Sequence, residues 1–219
     1  TPHPIDSAMP YWPKAPASSI GKGKGSYGQT KAVSERLVFQ AHTKMGLPVN
    51  IIRPSVISGD SKTGLSNPQD FTWLVIKAIK EFGCVPQSAV EKELQWIPVG
   101  FVAECITQIV TTSTHDHLHR PPVWHLINQG PTLGTMASLL SAKVVPEEEW
   151  RECIQSSSPS FSSCAPYLAE LGHHSSTQIS STVKLSNQLT RETLMMDENP
   201  IKTWPTVTDD VPYLKKCLS

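Results

Sequence analysis

Ser26-Tyr27-Gly28-Gln29-Thr30-Lys31 opens a run in which the apolar residues Val33, Leu37, Val38 and Ala41 recur at helical spacing. Four residues make about one helical turn, so the run predicts a helix with Tyr27 and Lys31 on one face. A lysine ammonium beside a phenol favours the phenolate and lowers its pKa, which makes the phenol a proton donor usable near neutral pH. Reducing a carbonyl group needs that pairing: hydride arrives from a nicotinamide while a tyrosine protonates the forming alkoxide. Alone the pair carries little weight, because Tyr and Lys fall four apart on many surface helices, where stem simply packs on ring. The surrounding sequence decides.

Gly46 and Pro48 stop the helix, and Val49-Asn50-Ile51-Ile52-Arg53 reads as a buried strand. It ends in Pro54-Ser55-Val56-Ile57-Ser58-Gly59-Asp60, a loop of small residues. In open α/β sheets ligands collect at this carboxyl end of a strand. Further on, Asp60 to Asn67 is a polar loop, and Pro68-Gln69-Asp70 starts a helix to Phe82 with Phe71, Leu74, Val75, Ile79 and Phe82 on its apolar face. Trp96-Ile97-Pro98 is extended, and Val99 to Val110 is a helix with Val102, Ile106, Ile109 and Val110 inward. Val123 to Ile127 is the next strand. Helices follow at Thr132–Ala142 and Pro146–Gln155, with tail helices at Ala165–Leu171, Val183–Leu194 and Asp209–Leu218. Ser156 to Ser163 is of low complexity. The alternation is α/β as far as Ile127 and mostly helical afterwards.

The totals exclude several classes. Nineteen basic and nineteen acidic residues cancel over 219 residues, so neither nucleic acid nor an anionic membrane is expected as a partner. No apolar run approaches the roughly 18 residues of a membrane span, and the N-terminus lacks the basic and apolar regions of a signal peptide. The absence of an initiator Met suggests a processed or excised product. Cys84, Cys105, Cys153, Cys164 and Cys217 are scattered and odd in number, which favours reduced thiols and a cytoplasmic location over a disulfide framework.

Taken in order, these segments resemble the terminal thioester reductase domain of the extended short-chain dehydrogenase/reductase superfamily. The resemblance rests on Tyr27-Gly28-Gln29-Thr30-Lys31 with Ser34-Glu35-Arg36-Leu37, Arg53-Pro54, Ser58-Gly59-Asp60-Ser61-Lys62-Thr63-Gly64, Asn67-Pro68-Gln69-Asp70-Phe71 and Trp96-Ile97-Pro98-Val99. It runs from about Tyr27 to Trp150 and more loosely to the C-terminus. Such domains end carboxylic acid reductases, aminoadipate reductase and many fungal nonribosomal-peptide-synthetase-like and polyketide enzymes. The implied fold is the C-terminal part of a Rossmann-like parallel sheet plus a mostly helical substrate-binding subdomain. Residues 1–26 form a loop-rich lead-in, 27–130 the nucleotide-fold part with its substrate loop, and 131–219 the helical substrate- and carrier-binding part. The implied chemistry is NADPH-dependent release of a carrier-bound acyl thioester as an aldehyde, or further as an alcohol.

By this resemblance Tyr27 is the general acid, and Lys31 tunes it and anchors the nicotinamide ribose. Pro54, Ser55, Val56 and Ile57 carry the backbone against the nicotinamide. Asp60, Thr63, Gly64 and Asn67 form the substrate-entry loop, where Asp60 either orients a substrate group or caps the turn. The implied partners are a phosphopantetheinylated carrier domain and an upstream half of the reductase domain. A dinucleotide fold needs a glycine-rich first β-α turn, and Gly21-Lys22-Gly23-Lys24-Gly25 follows no strand and lacks that spacing. It reads as a hinge. The phosphate-binding turn and a catalytic Ser or Thr are therefore expected upstream, and Ser18 and Ser19 lie too close to Tyr27 to serve. The family usually shows an Asp after Pro98-Val99, where this chain has Gly100.

Other residues read as structural. His115, His117 and His119 alternate in a solvated loop, His173-His174 is surface, and no metal site is expected. His125 reads as a satisfied core histidine, and Trp73, Trp96 and Trp124 as core. Trp150 and Trp204 are candidates for an aryl or acyl pocket. Three rival functions stand beside the main one: carbanion cyclisation, an extended reductase or epimerase acting on a free small molecule, and a non-catalytic substrate- or carrier-binding fragment.

Overall fold

The computed structural model describes residues 26–112, 121–157, 161, 165–171, 187–195, 203–208 and 210–218. Helix α1 (Ser26–Met45) leads into strand β1 (Ile51–Pro54) and, past Ser55, strand β2 (Val56–Ser58). Helix α2 (Phe71–Phe82), strand β3 (Cys84–Pro86), a 3₁₀ turn at Gln87–Ala89, strand β4 (Trp96–Pro98) and helix α3 (Val99–Thr112) follow. Then come β5 (Val123–Leu126), α4 (Leu133–Leu139), β6 (Lys143–Val145), α5 (Glu147–Gln155), α6 (Ala165–Leu171), α7 (Gln188–Met195) and α8 (Val211–Leu218). The strands form parallel pairs, β1 with β5, β2 with β4 and β3 with β6. Parallel neighbours need crossover connections, and helices fill those crossovers. The fold is α/β, as the alternation of patterns predicts. Among the described residues no helix is long and apolar enough to cross a membrane.

The chain divides into two units. The first holds α1, β1, α3 from Val102 onward, β5 and α7. β1 and β5 pair from Ile51↔Val123 to Pro54↔Leu126. All four β5 residues are buried, as a short unbroken apolar run predicts for a strand covered on both faces. Trp124 donates its indole N–H to Asn50 Oδ1 at 2.9 Å. α3 buries Val102, Cys105 and Ile109, whereas Ile106 and Val110 face outward, Val110 with 62% exposure. The buried stripe steps 102, 105, 109, and positions 106 and 110 lie on its shoulder.

The expected apolar face of α1 is corrected in the same way. Val33, Leu37 and Val38 are exposed, Leu37 by 62%. The partly buried residues are instead Ala32, Glu35, Phe39 and Ala41, and the buried His42 closes the C-terminal end, its Nδ1 lying 2.8 Å from Leu47 O. Sequence periodicity locates an apolar stripe but cannot say which neighbour, if any, covers it.

The second unit holds β2, α2, β3, β4, α4, β6, α5, α6 and α8. Asp70 caps α2, its Oδ1 accepting the Thr72 N–H at 2.9 Å. Gly83 ends that helix at φ 65°, its N–H bonded to Ile79 O, a left-handed stop that glycine takes without penalty. The core gathers Val75, Ile79, Val85, Trp96, Leu133 and Met136 with α5, α6 and α8. Trp150 is fully buried, and its N–H donates to Leu168 O at 2.7 Å. It therefore belongs to the core and not to a pocket wall. Phe161, alone among serines in sequence, is 1% exposed and meets Phe82 edge-on at 5.4 Å. The strands β2, β3 and β6 are three residues each, too short for an alternating pattern to show.

Candidate active site

Within the first unit, Tyr27 lies in the first turn of α1 and Lys31 one turn later. The Tyr27 side chain is outside the described residues, and Lys31 is exposed. One further turn along stands Glu35. Arg53 on β1 grips it with a fork: Nε donates to Oε1 at 2.8 Å and Nη2 to Oε2 at 2.5 Å. Two parallel charge-assisted bonds fix both position and plane, and guanidinium is the side chain shaped to make them. Across the strand pair, Arg53 is in register with His125, and its Nη1 faces His125 Nε2 at 3.4 Å. His125 is 1% exposed, a core histidine as read. The helix carrying Tyr27 and Lys31 is thus pinned to the strand whose end carries Pro54.

Pro54 closes β1, and Ser55, Val56 and Ile57 run from it into β2. Pro54 and Ile57 are exposed. Ser55 Oγ is buried and has no hydrogen-bond partner among the described residues. An unsatisfied buried hydroxyl costs about 1–3 kcal/mol, so a ligand group able to bond it would be favoured there.

In the second unit the loop Ser58 to Asn67 is closed on itself. Asp60 Oδ1 accepts from the Lys62 N–H at 3.0 Å, the Thr63 N–H at 2.8 Å and the Thr63 hydroxyl at 3.0 Å. The Thr63 backbone bond, then the Thr63 hydroxyl, hold the Asp60 carboxyl below its usual range. Thr63 Oγ1 accepts in turn from the Leu65 N–H, and Asn67 Oδ1 from the Gln69 N–H. Gly64 sits at φ 76°, and a Cβ there would strike the backbone carbonyl of Lys216 on α8. Loop and helix are also joined by Tyr213. Its hydroxyl donates to Gly59 O at 2.9 Å and lies 2.6 Å from Ser58 Oγ. With its single proton on Gly59 O, Tyr213 accepts from Ser58. Burial raises the Tyr213 pKa.

The structure brings Asp60, Thr63, Gly64 and Asn67 into one loop and Tyr27 and Lys31 onto one helix. Sequence reading passed over Glu35 and Arg53 as partners, although a Glu eight residues after Tyr27 on the same stripe was a usable signal. It gave no hint of Ser58 with Tyr213, which are 155 residues apart. Trp204 gives its N–H to Ile127 O and carries Arg191 over its ring, so it serves the first unit's framework. His115, His117, His119, His173, His174, Cys164 and the Gly21–Gly25 cluster lie outside the described residues.

Comparison with known proteins bears on this arrangement. The NAD-binding family described as "Male sterility protein" matches residues 13–106. The L-2-aminoadipate reductase large subunit of Eremothecium gossypii is 30% identical over 152 residues, covering 66% of this chain and 10% of that protein. Of solved structures, the terminal R domain of the myxalamid PKS-NRPS pathway superposes with TM-score 0.62 at 22% identity, covering 94% of this chain and 51% of that one. An archaeal thiolation-reductase di-domain gives TM-score 0.64 at 20% identity, over 89% of this chain and 40% of that one. The chain spans about a tenth of the length of such curated relatives, and about half or less of the solved structures. The motif order, the parallel α/β framework and these likenesses converge: the chain resembles the thioester reductase domains of nonribosomal peptide, polyketide and aminoadipate-reducing enzymes, and residues 13–106 match the NAD-binding family.

Proposed function

We propose that this chain is the C-terminal part of a reductase domain that releases a carrier-bound acyl thioester as an aldehyde, with NADPH as reductant. The observation that carries the reading is the clamp of α1. The helix bearing Tyr27 and Lys31 is fixed by Glu35 to Arg53, on the strand that ends at Pro54. A reduced nicotinamide supplies hydride. Tyr27 protonates the oxyanion that forms at the thioester carbonyl, and Lys31 keeps the phenol acidic enough to do so. The hemithioacetal then collapses to thiol and aldehyde. Pro54, Ser55, Val56 and Ile57 would hold the nicotinamide end, and Lys31, with three donors, would bond the ribose hydroxyls. The loop Asp60 to Asn67 borders substrate entry.

Two partners complete the reading. A phosphopantetheinylated carrier domain presents the thioester, an idea supported by a similar solved protein that is itself a thiolation-reductase di-domain. An upstream half of the reductase domain packs on the exposed Val33, Leu37 and Val38 face of α1, which supplies apolar area worth covering. The test uses the polypeptide that contains this chain, with an acylated carrier and NADPH, followed by loss of reduced-nicotinamide absorbance. Tyr27→Phe should lower turnover by about 10²–10⁴-fold and leave carrier binding within twofold. Undiminished turnover in that variant would remove Tyr27 from the chemistry and the proposal with it.

A further inference from the structure

Cys84 and Cys153 are 69 residues apart in sequence, yet their sulfurs stand 3.6 Å from each other. Both belong to the second unit. Gly83 ends α2, so Cys84 enters β3 directly behind Phe82. Cys153 lies one turn after Trp150 on α5, and residues three apart share a helix face. Phe82 meets Trp150 edge-on at 5.4 Å, and that contact brings the two sulfurs together. Cys84 is 4% exposed, whereas Cys153 is half-buried.

Both thiols are free. A thiol is a weak donor and a weak acceptor, so the contact adds little that two small apolar groups would not. What it does supply is proximity. A disulfide needs its sulfurs at about 2.0 Å, and packed aromatic neighbours already hold this pair near one another before any reaction. Cys153 is the approachable sulfur. Its helix carries Glu147, Glu148 and Glu149 in the first turn and Glu152 beside it, so a small neutral oxidant suits the place better than an anionic one.

We propose that Cys84 and Cys153 form a peroxide-sensitive dithiol site that closes to a disulfide and links β3 to α5. The Cys153 thiolate attacks one oxygen of hydrogen peroxide, the O–O bond breaks, and the other oxygen leaves as water with the thiol's proton. Cys153 is then a sulfenic acid. The Cys84 sulfur attacks the Cys153 sulfur, the S–O bond breaks, and a second water carries off the Cys84 proton. The two sulfurs lose two electrons and the peroxide gains them. Burial, and then the Cys153 thiol beside it, pushes the Cys84 thiol up, which suits Cys84 to the second step and not the first. The link spans 69 residues and ties α5 to the strand that follows α2. It does not depend on the reductase reading.

The experiment treats the native polypeptide that contains this chain with hydrogen peroxide, alkylates the remaining thiols during unfolding, and digests with trypsin without reduction. Cleavage after Lys80, Lys92 and Arg151 puts Cys84 and Cys153 on separate peptides, but Cys164 follows on the second of them, so linkage is read in wild type and in Cys164→Ser. A Cys84–Cys153 peptide pair should form in both and disappear with dithiothreitol, and amide exchange along α5 should slow by about fivefold or more. In Cys84→Ala the sulfenic acid has no thiol to condense with, so dimedone should label Cys153 at least about threefold more than in wild type. Cys153→Ser, a change at the less buried position, should leave Cys84 unoxidised. If peroxide leaves both thiols open to alkylation, or carries Cys153 to sulfinic acid without a link, the two cysteines are packing residues and the proposal fails.

Discussion

Replacing Glu35 by Gln removes the charge from the clamp that fixes α1 while keeping the side chain's size. In the native pair, Arg53 Nε and Nη2 each reach one carboxylate oxygen, at 2.8 and 2.5 Å. A glutamine can accept one of these bonds, but its NH₂ then faces a guanidinium N–H, donor against donor. Hydrogen bonds to charged groups contribute about 1.5–3 kcal/mol each. The two side chains keep 32% and 23% of their exposure, so solvent screens part of this, and a fully exposed pair would be worth at most about 1 kcal/mol. Between those bounds we expect a loss of about 2 kcal/mol. For a chain of this size, that lowers the melting temperature by about 4–8 °C. The assay is thermal and urea unfolding of wild type, Glu35→Gln, Arg53→Lys and the double variant. Arg53→Lys loses the fork but keeps the charge, so it should cost less than the glutamine change. The double variant should cost less than the sum of the two, with a coupling of about 1 kcal/mol or more. If Glu35→Gln shifts stability by less than about 0.5 kcal/mol, or if the two changes simply add, the clamp does not hold α1.

Three further outcomes follow from the geometry. Tyr213→Phe strips Gly59 O and Ser58 Oγ of a buried partner and should cost about 1–3 kcal/mol in urea unfolding; a change within 0.3 kcal/mol would mean that water replaces the hydroxyl freely. Gly64→Ala meets both a left-handed backbone and the Lys216 carbonyl, so it should destabilise by more than about 1 kcal/mol and speed amide exchange along α8; unchanged exchange would refute the contact. Burial pushes the Cys84 and Cys105 thiols up to about 12, so the folded state favours the neutral form. Their contribution is whole below the unfolded thiol pKa of about 8.5 and is lost as pH rises from there towards 12. Melting temperature should therefore fall between pH 8.5 and 10.5, and less steeply in Cys105→Ala; an identical slope would exclude that thiol.

Much of the framework was legible because long periodic segments announce themselves. α2 carried a start at Pro68-Gln69-Asp70 and a broad apolar face as far as Phe82. β5 read as buried from Val123-Trp124-His125-Leu126 alone. What escaped was whatever depends on partners distant in sequence. Val33, Leu37 and Val38 recur at helical spacing, yet they are exposed. Phe161 looked like one aromatic in a serine tract and proved to be a core residue. The candidate site divides along the same line. The Tyr27 and Lys31 spacing is local and could be read, whereas the Arg53 fork and the Tyr213 strut join elements that only folding brings together.

The absent carboxylate at Gly100 shows how a departure from the family can be absorbed. α3 begins with Val99-Gly100-Phe101 and has no acidic residue in its first turn, where a negative charge would complement the helix dipole. A Cβ on Gly100 would stand only 3.9 Å from Asp60 Oδ2. The Asp60 carboxylate, whose other oxygen accepts the Thr63 bonds that lower its pKa, thus places negative charge close to the first turn of α3. Restoring that residue with Gly100→Asp would set two carboxylates side by side, and like charges at such range raise each other's pKa. The loop would then gain no better cap and lose part of the one it has. Asp60 therefore closes its own turn, and its second oxygen lies toward the start of α3.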